Sequence, residues 1–138
     1  MANDTIHDAV IQALKNDGWQ IIREHFSVRY EELEIRIDIV AEQPAVLAEK
    51  DGYRILVEIK TFGGRSFMKD LQNAIGQYTI YKNILTLSGL EYELFLAIHE
   101  TVYEAAFQQK ALSQILQLNQ VKLLVVDIDS QEVVKWIK

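Results

Sequence analysis

The stretch that decides the fold is Tyr53-Arg-Ile-Leu-Val-Glu-Ile-Lys60. Its side chains alternate with the period of two that is typical of a β-strand. One face carries Tyr53, Ile55, Val57 and Ile59. The other face carries Arg54, Leu56, Glu58 and Lys60. Since alternate residues of a strand lie about 6 to 7 Å apart, Glu58 and Lys60 can address one phosphate group. The stretch predicts a strand that presents an acid and a base near its end.

A second strand bearing an acid precedes it, Glu34-Ile-Arg-Ile-Asp-Ile-Val40. The isoleucines at 35, 37 and 39 predict one apolar face, with Arg36 and Asp38 projecting together from the other. A buried carboxylate is unfavourable unless a partner, a metal or a function offsets it. The candidate site is therefore Asp38, Glu58 and Lys60. Two hard carboxylates suit Mg²⁺ or Mn²⁺, and the lysine can position or deprotonate an attacking water, which predicts phosphodiester hydrolysis.

Helices and further strands are predicted on both sides of this pair. Apolar spacing and caps indicate helices over 5–17, 67–87 with Ser66 as cap, and 102–118. Further strands are expected over 19–26 and 93–99, with a closing hairpin of 121–128 and 133–137. The charged run 29–34 reads as a solvated connection. The order α, three β, α, β, α, β, β predicts an α/β (α+β) fold, a mixed sheet flanked by helices in a single domain over 1–138.

Composition excludes several classes of protein. The 138 residues are 49% hydrophobic and 25% charged, which is typical of one globular core. The absence of cysteine excludes disulfides and Cys-ligated zinc. His25 and His99 are expected at strand ends with no second histidine or carboxylate at ligand spacing, so no zinc site is predicted. Residues 1–5 lack the pattern of a signal peptide and no apolar stretch approaches the length of a membrane span, so we expect a cytoplasmic protein with no membrane partner.

Charge bears directly on any DNA-related function. The chain holds 14 Lys and Arg against 20 Asp and Glu, a formal net charge of −6 that should repel polyanions. Residues 50–82 carry +3, however, and the remainder carries −9. The sequence thus predicts one modest basic face around Glu58 and Lys60, on a protein that needs a partner to bring it to DNA.

A helical motif completes a known pattern. Gln77 and Tyr81 stand at i and i+4, on one face of the predicted helix. Here the chain resembles the PD-(D/E)xK nuclease superfamily, over roughly residues 5 to 99. The resemblance implies a restriction endonuclease-like core of order αβββαβ and a Mg²⁺ or Mn²⁺ cofactor. It also implies that Asp38 is the metal-binding acid, Glu58 the second acid and Lys60 the catalytic lysine. Gln77 and Tyr81 match the superfamily's helical motif, through which Gln77 can hydrogen-bond the nucleotide or order the metal site.

One more polar residue is a candidate by the same resemblance. His7 lies on the first predicted helix, from which a polar residue of the superfamily sometimes approaches the site. An exposed helix histidine is the alternative interpretation.

Four strings resemble the XisH family across essentially the whole chain. They are Ala48-Glu-Lys-Asp-Gly52, Val57-Glu-Ile-Lys-Thr-Phe62, Ala74-Ile-Gly-Gln-Tyr78 and Val134-Lys-Trp-Ile137. Members of this family are cyanobacterial fdxN element excision controlling factors. The resemblance implies a role in programmed, site-specific DNA excision, with DNA, a site-specific recombinase and a small companion controlling protein as partners. Nucleases of the superfamily often act as dimers, so a homodimer is an expectation by analogy.

The turn between the two strands leaves the site open to three interpretations. Asp51-Gly52 is a strong hairpin signal, but a two-residue turn there pairs Ala45 with Glu58 and leaves Asp38 seven positions, about 23 Å, away. Residues 43–50 can instead loop out around Pro44, which cannot donate to a central ladder, and bring Asp38 beside Glu58. Alternatively Glu42 supplies the first acid, or the site is degenerate. We favour the loop; a degenerate site would mean an inactive accessory protein that binds a companion protein, the recombinase or DNA.

Overall fold

The protein is described by a computed structural model that covers residues 2–43 and 53–138. Its helices are α1 (Ala2–Asn16), α2 (Phe67–Leu87), α3 (Glu100–Val102) and α4 (Lys110–Leu118), with a π-helical turn (Tyr103–Phe107) between the last two. Its strands are β1 (Gln20–Tyr30), β2 (Leu33–Gln43), β3 (Tyr53–Ile59), β4 (Glu93–His99), β5 (Leu123–Asp127) and β6 (Glu132–Ile137). None of the helices in these ranges combines the length and hydropathy needed to cross a membrane.

The six strands form one mixed sheet in the order β1-β2-β3-β4-β5-β6. The strands β1, β2 and β3 pair antiparallel, β3, β4 and β5 pair parallel, and β6 returns antiparallel to β5. Parallel neighbours need crossover connections, which α2 and the segment from α3 to α4 supply. The α+β architecture with a mixed sheet, predicted from the order of elements, is confirmed.

Helices cover both faces of the sheet. On one face, α1 buries Ile6, Val10, Ala13 and Leu14. On the other, α2, the π-helical turn and α4 bury Leu71, Ala74, Tyr78, Ile84, Leu85, Phe107, Leu112 and Leu116. The central strands β3, β4 and β5 are largely buried on both faces, which is why β4 reads as a nearly continuous apolar run.

Two elements differ from the sequence-based expectation. The charged run 29–34 is not a solvated connection, because β1 continues to Tyr30, β2 begins at Leu33 and only Glu31 and Glu32 turn between them. Charged side chains are compatible with a hairpin exposed at its tip, so the charge pattern alone was misleading. The predicted helix over 102–118 is interrupted by the π-helical turn and by the extended backbone of Gln109.

The register of β2 against β3 decides where the acids meet. The pairs run from Ile39 with Val57 to Gln43 with Tyr53, so that paired numbers add to 96. A two-residue turn at Asp51-Gly52 would require them to add to 103, and that register is wrong. The proposed loop around Pro44 itself lies outside the described residues, as does the turn. The register nevertheless brings Asp38 opposite Glu58.

At Asp38, the side chains of β2 change the face of the sheet on which they pack. Ile35 and Ile37 pack on the α2 side, but Ile39 packs on the α1 side, so the prediction that the three isoleucines share one face is wrong. The neighbouring strand β1 switches between Glu24, paired with Ile39, and Phe26, paired with Ile37. The residues between these pairs are Asp38 and His25, and His25 adopts a positive φ of 58°. A departure from regular pleating therefore lies beside Glu58.

The hydroxyl of Tyr78 joins α2 to the sheet through two hydrogen bonds. Its hydroxyl donates to the carbonyl of Leu94 (2.8 Å) and accepts from the backbone N–H of Lys122 (3.2 Å). Tyr78→Phe leaves both buried groups without this partner, so the free energy of unfolding should fall by about 1–3 kcal/mol in urea denaturation. Tyr30→Phe, at the hairpin tip, is the control and should change it by less than about 0.5 kcal/mol. Equal losses would contradict this role.

Candidate functional site

The two acids meet where the β2–β3 ladder ends. Regular pairing stops at Ile39 with Val57. Beyond this pair, two carboxylate side chains accept hydrogen bonds from backbone N–H groups of the opposite strand. Asp38 Oδ2 accepts from the N–H of Ile59 (2.9 Å), and Glu58 Oε1 accepts from the N–H of Asp38 (3.3 Å). One oxygen of each carboxylate is thus held by the opposite strand. Asp38 Oδ1 and Glu58 Oε2 are not used by these bonds.

Glu58 is buried, with 7% of its surface exposed, and is the only buried charged residue in the described part of the chain. Burial first, and then the nearby carboxylate of Asp38, raise its pKa from 4.5 to about 8. The ammonium of Lys60 acts in the opposite direction but lies 3.9 Å from Glu58 Oε2, at the limit of an ion pair. Lys60 therefore offsets the desolvation of Glu58 only in part.

A cavity of about 670 Å³ opens over this pair. Its walls are formed by Ile6, His7, Asp8, Glu24, His25, Asp38, Glu58, Ile59, Lys60 and Thr61. The first helix, the switch on β1, the middle of β2 and the end of β3 thus converge on one open space. Asp38, Glu58 and Lys60, predicted together from sequence, all line it, and so does His7.

The helical motif lies on the α2 side of the acids. Gln77 Nε2 donates to the hydroxyl of Tyr81 at 2.7 Å. Burial raises the pKa of Tyr81, and the negative charges of Glu58 and Asp38 raise it further. Gln77 Oε1 is buried with no hydrogen-bond partner among the described residues. Neither side chain lines the cavity, so the observed contact of Gln77 is with Tyr81.

Glu42 is not brought to the site. It pairs across the ladder with Arg54, whose Nε donates to Glu42 Oε1 at 2.9 Å. Because it lies four residues from Asp38 along β2, it does not line the cavity. Arg36, which was expected to project beside Asp38, forms no ion pair with it among the described residues. The first acid beside Glu58 is therefore Asp38, which is the alternative that the loop interpretation favoured.

The donor set fits a small hard cation. Two carboxylates oppose each other across adjacent strands, and their mutual repulsion contributes to the raised pKa of Glu58. Mg²⁺ and Mn²⁺ prefer such oxygen ligands and complete their coordination with water, which an open cavity admits. The amine of Lys60 lies at the same edge. This arrangement can bind a divalent ion beside a cationic group that faces an anionic substrate.

Comparison with known proteins identifies the family. Residues 1–134 match the family described as XisH protein. The chain belongs to the XisH family. No curated protein matches it.

Two solved structures show the same fold as this XisH family member. An XisH family protein from Nostoc punctiforme PCC 73102 is 30% identical, with a TM-score of 0.85 over 97% of this chain and 99% of that one. A fdxN element excision controlling factor protein from Anabaena variabilis is 32% identical, with a TM-score of 0.86 over 98% and 99%. The resemblance to the XisH family seen in the sequence is confirmed over nearly the whole chain.

Glu24 and His25 line the cavity but were not predicted from the sequence as site residues. His25 is not at a strand end: it lies within β1, and its ring stacks on that of His7, with centroids 5.6 Å apart and planes at 11°. Glu24 Oε1 lies 2.8 Å from His7 Nε2. His7 stands 17 residues before Glu24, so no local spacing announces the contact. The sequence feature that could have indicated these residues is the adjacent Glu24-His25 pair on a predicted strand.

The pKa of Glu58 predicts a pH dependence of stability in metal-free buffer. Because this pKa is higher in the folded protein, the folded state keeps a proton that the unfolded state releases between pH 4.5 and about 8. The contribution is present below pH 4.5 and is lost as the pH rises to about 8. Glu58→Gln removes this loss, so its stability relative to wild type should rise by on the order of 3 kcal/mol across that window.

Urea denaturation with EDTA at several pH values measures this difference. Glu104→Gln, at an exposed glutamate, is the matched control and should give a curve parallel to wild type. If Glu58→Gln also ran parallel to wild type, Glu58 would titrate at its ordinary pKa.

Proposed function

We propose that this XisH family member is a Mg²⁺- or Mn²⁺-dependent phosphodiesterase that acts on DNA during programmed excision. The single observation that carries this proposal is the meeting of Asp38, Glu58 and Lys60 at the mouth of one cavity. The description of its relative as a fdxN element excision controlling factor protein supports the biological setting. The companion controlling protein, the recombinase and a homodimer belong to the same proposal.

Asp38 and Glu58 would hold the ion. When bound, a divalent ion of this class supplies a Lewis acid and an acidified water. Glu58 must lose its proton to act as a ligand, and its raised pKa makes that loss unfavourable until a cation replaces the proton. The backbone bonds from Ile59 and Asp38 orient the two carboxylates in advance.

Lys60 would act on the phosphate side of the site. Its side chain is 28% exposed and lines the cavity, so its Nζ can reach a bound phosphodiester. As an ammonium it offsets the charge that develops on the phosphate oxygens, and as a free amine its Nζ can accept a proton from the attacking water. Gln77 and Tyr81, which are hydrogen-bonded to each other on α2, would act from the helix side of the same acids.

The fold supports the superfamily assignment. The elements from α1 to β4 follow the order αβββαβ, the order of the restriction endonuclease-like core. The acids stand on the second and third strands, the lysine follows the third, and the Gln-Tyr pair lies on the next helix. Each position agrees with the PD-(D/E)xK pattern that the sequence resembles.

A second candidate function is that of a non-catalytic accessory factor. The observation that favours it is the net charge of −6, which opposes unaided binding to DNA. In that case the fold would serve to bind the companion protein, the recombinase or DNA, and the acids would carry no chemistry. Cleavage experiments separate the two functions.

Cleavage of a labelled DNA duplex in Mg²⁺ or Mn²⁺, with and without the companion proteins, tests the proposal. Asp38→Asn, Glu58→Gln and Lys60→Met should each reduce the cleavage rate by about 100-fold or more, because each removes a group that acts on the reacting phosphate. Circular dichroism and thermal melting check that the variants remain folded.

The pair formed by Glu93 and Lys122 offers a matched control. These side chains form an ion pair of 2.9 Å at the sheet, away from the cavity. Glu93→Gln and Lys122→Met change the same kinds of group and should retain cleavage. Equal nicking by wild type and all site variants would sink the enzymatic mechanism. No cleavage by any of them, with co-purification of the companion protein, would favour the accessory factor.

A further inference from the structure

A second set of ligands lies in the same cavity, apart from the carboxylate pair. We infer that His7, Glu24 and His25 bind a transition-metal ion of the Zn²⁺ class. One ligand atom from each residue lies within 4.8 Å of the other two, and this is the only such group of three among the described residues. The inference does not depend on DNA cleavage, because it concerns different residues and a different class of ion.

The distance between the imidazoles suits a shared ion. Zinc lies about 2.0–2.1 Å from a histidine nitrogen, hence about 3.2 Å from the ring centre. Two ring centres 5.6 Å apart, as in His7 and His25, then subtend an angle of about 120° at the ion. That angle is within the range of a four-coordinate site. Because the two ring planes are nearly parallel, one imidazole must turn about its side-chain bonds before both nitrogens direct their lone pairs at the same ion.

The backbone of β1 is shaped to bring these groups together. Consecutive residues of an extended strand point to opposite faces, yet Glu24 and His25 both contact His7. The φ of 58° at His25 makes this possible. A non-glycine residue in that region is strained, and such strain is retained where the surrounding structure requires it. The contact with His7 is thus built into the strand.

An ion can bind among these three side chains if it replaces one existing hydrogen bond. His7 Nε2 and Glu24 Oε1 are 2.8 Å apart and share a proton in a hydrogen bond. Coordination replaces that bond: a neutral His7 carries its one proton on Nδ1 instead of Nε2, a doubly protonated His7 releases the Nε2 proton to solvent, and Nε2 and Glu24 Oε1 then turn their lone pairs to the ion. Glu24 is exposed and His7 is partly exposed, so the ion has a path from solvent. Three protein ligands leave a fourth position for water, as in open zinc sites.

This site and the carboxylate pair offer different donor atoms, so the two sites should prefer different metal ions. Two imidazoles and one carboxylate favour Zn²⁺, Co²⁺ or Ni²⁺, whereas Asp38 and Glu58 offer only oxygen and favour Mg²⁺ or Mn²⁺. Excess Mg²⁺ should therefore occupy the carboxylates without displacing zinc from the histidines. This difference makes the two sites distinguishable in one experiment.

Isothermal titration of the full chain with zinc chloride, in slightly alkaline buffer with excess Mg²⁺, tests the inference. Wild type should bind one Zn²⁺ per chain. His7→Ala, Glu24→Gln and His25→Gly should each weaken binding at least tenfold, since even the loss of an outer-shell partner costs about 10–100-fold. Glycine is chosen at position 25 because it accepts the positive φ without strain.

Two controls decide the outcome. His99→Ala removes the one histidine outside the group, and Glu32→Gln changes an exposed glutamate of the hairpin tip; both should bind zinc as wild type does. Zinc affinity unchanged in all three site variants would overturn the inference. So would zinc affinity lost in Asp38→Asn and retained in the histidine variants, which would place the ion on the carboxylates.

Loss of fold does not weaken the test. Glu24→Gln alters an exposed side chain without changing its shape, so this variant should keep the melting temperature of the metal-free wild type. Weaker zinc binding with an unchanged metal-free melting temperature supports the inference. Unchanged zinc binding by Glu24→Gln and His25→Gly rejects it.

Discussion

The pairing of Asp38 with Glu58 across two adjacent strands is the constraint on which the rest of the site depends. A glutamate this buried is strongly disfavoured as an anion, and the neighbouring aspartate adds repulsion. Neither the distant ammonium of Lys60 nor the two backbone N–H groups offset this fully. The site therefore holds a buried carboxyl group whose ionisation is unfavourable, and strongly shifted pKa values of this kind are concentrated at functional sites.

At His25 and Asp38, the side chains of β1 and β2 change the face of the sheet on which they lie. This change connects the carboxylate pair to the first helix. On β2 the switch separates Ile37 from Ile39 on opposite faces of the sheet, and on β1 it turns Glu24 and His25 toward His7. One local irregularity thus opens the ladder for the acids and assembles the histidines. The cavity follows from both effects, since β2 and β3 no longer pair beyond it.

Where local patterns decide structure, the sequence predicted it well. The apolar stripe and the Ser66 cap predicted the bounds of α2, and the alternation in β3 predicted the placement of Glu58 and Lys60. Long-range terms decide the rest. The register of β2 against β3 depends on the length of their connection, which the hairpin signal at Asp51-Gly52 predicted wrongly. The alternation of Ile35, Ile37 and Ile39 is regular in sequence, so it could not reveal the change of face at Asp38. The contact of His7 with His25 depends on tertiary packing, so spacing along the chain could not reveal it.

If the proposed function is correct, Asp38 and Glu58 share one divalent ion. Anomalous scattering from crystals of the protein soaked in Mn²⁺ tests this sharing most directly. We expect an anomalous peak within coordinating distance of both carboxylates, about 2.0–2.3 Å from an oxygen of each, which disappears in Glu58→Gln. Fully occupied Mn²⁺ elsewhere with none between these carboxylates, or a peak that persists unchanged in Glu58→Gln, would contradict it.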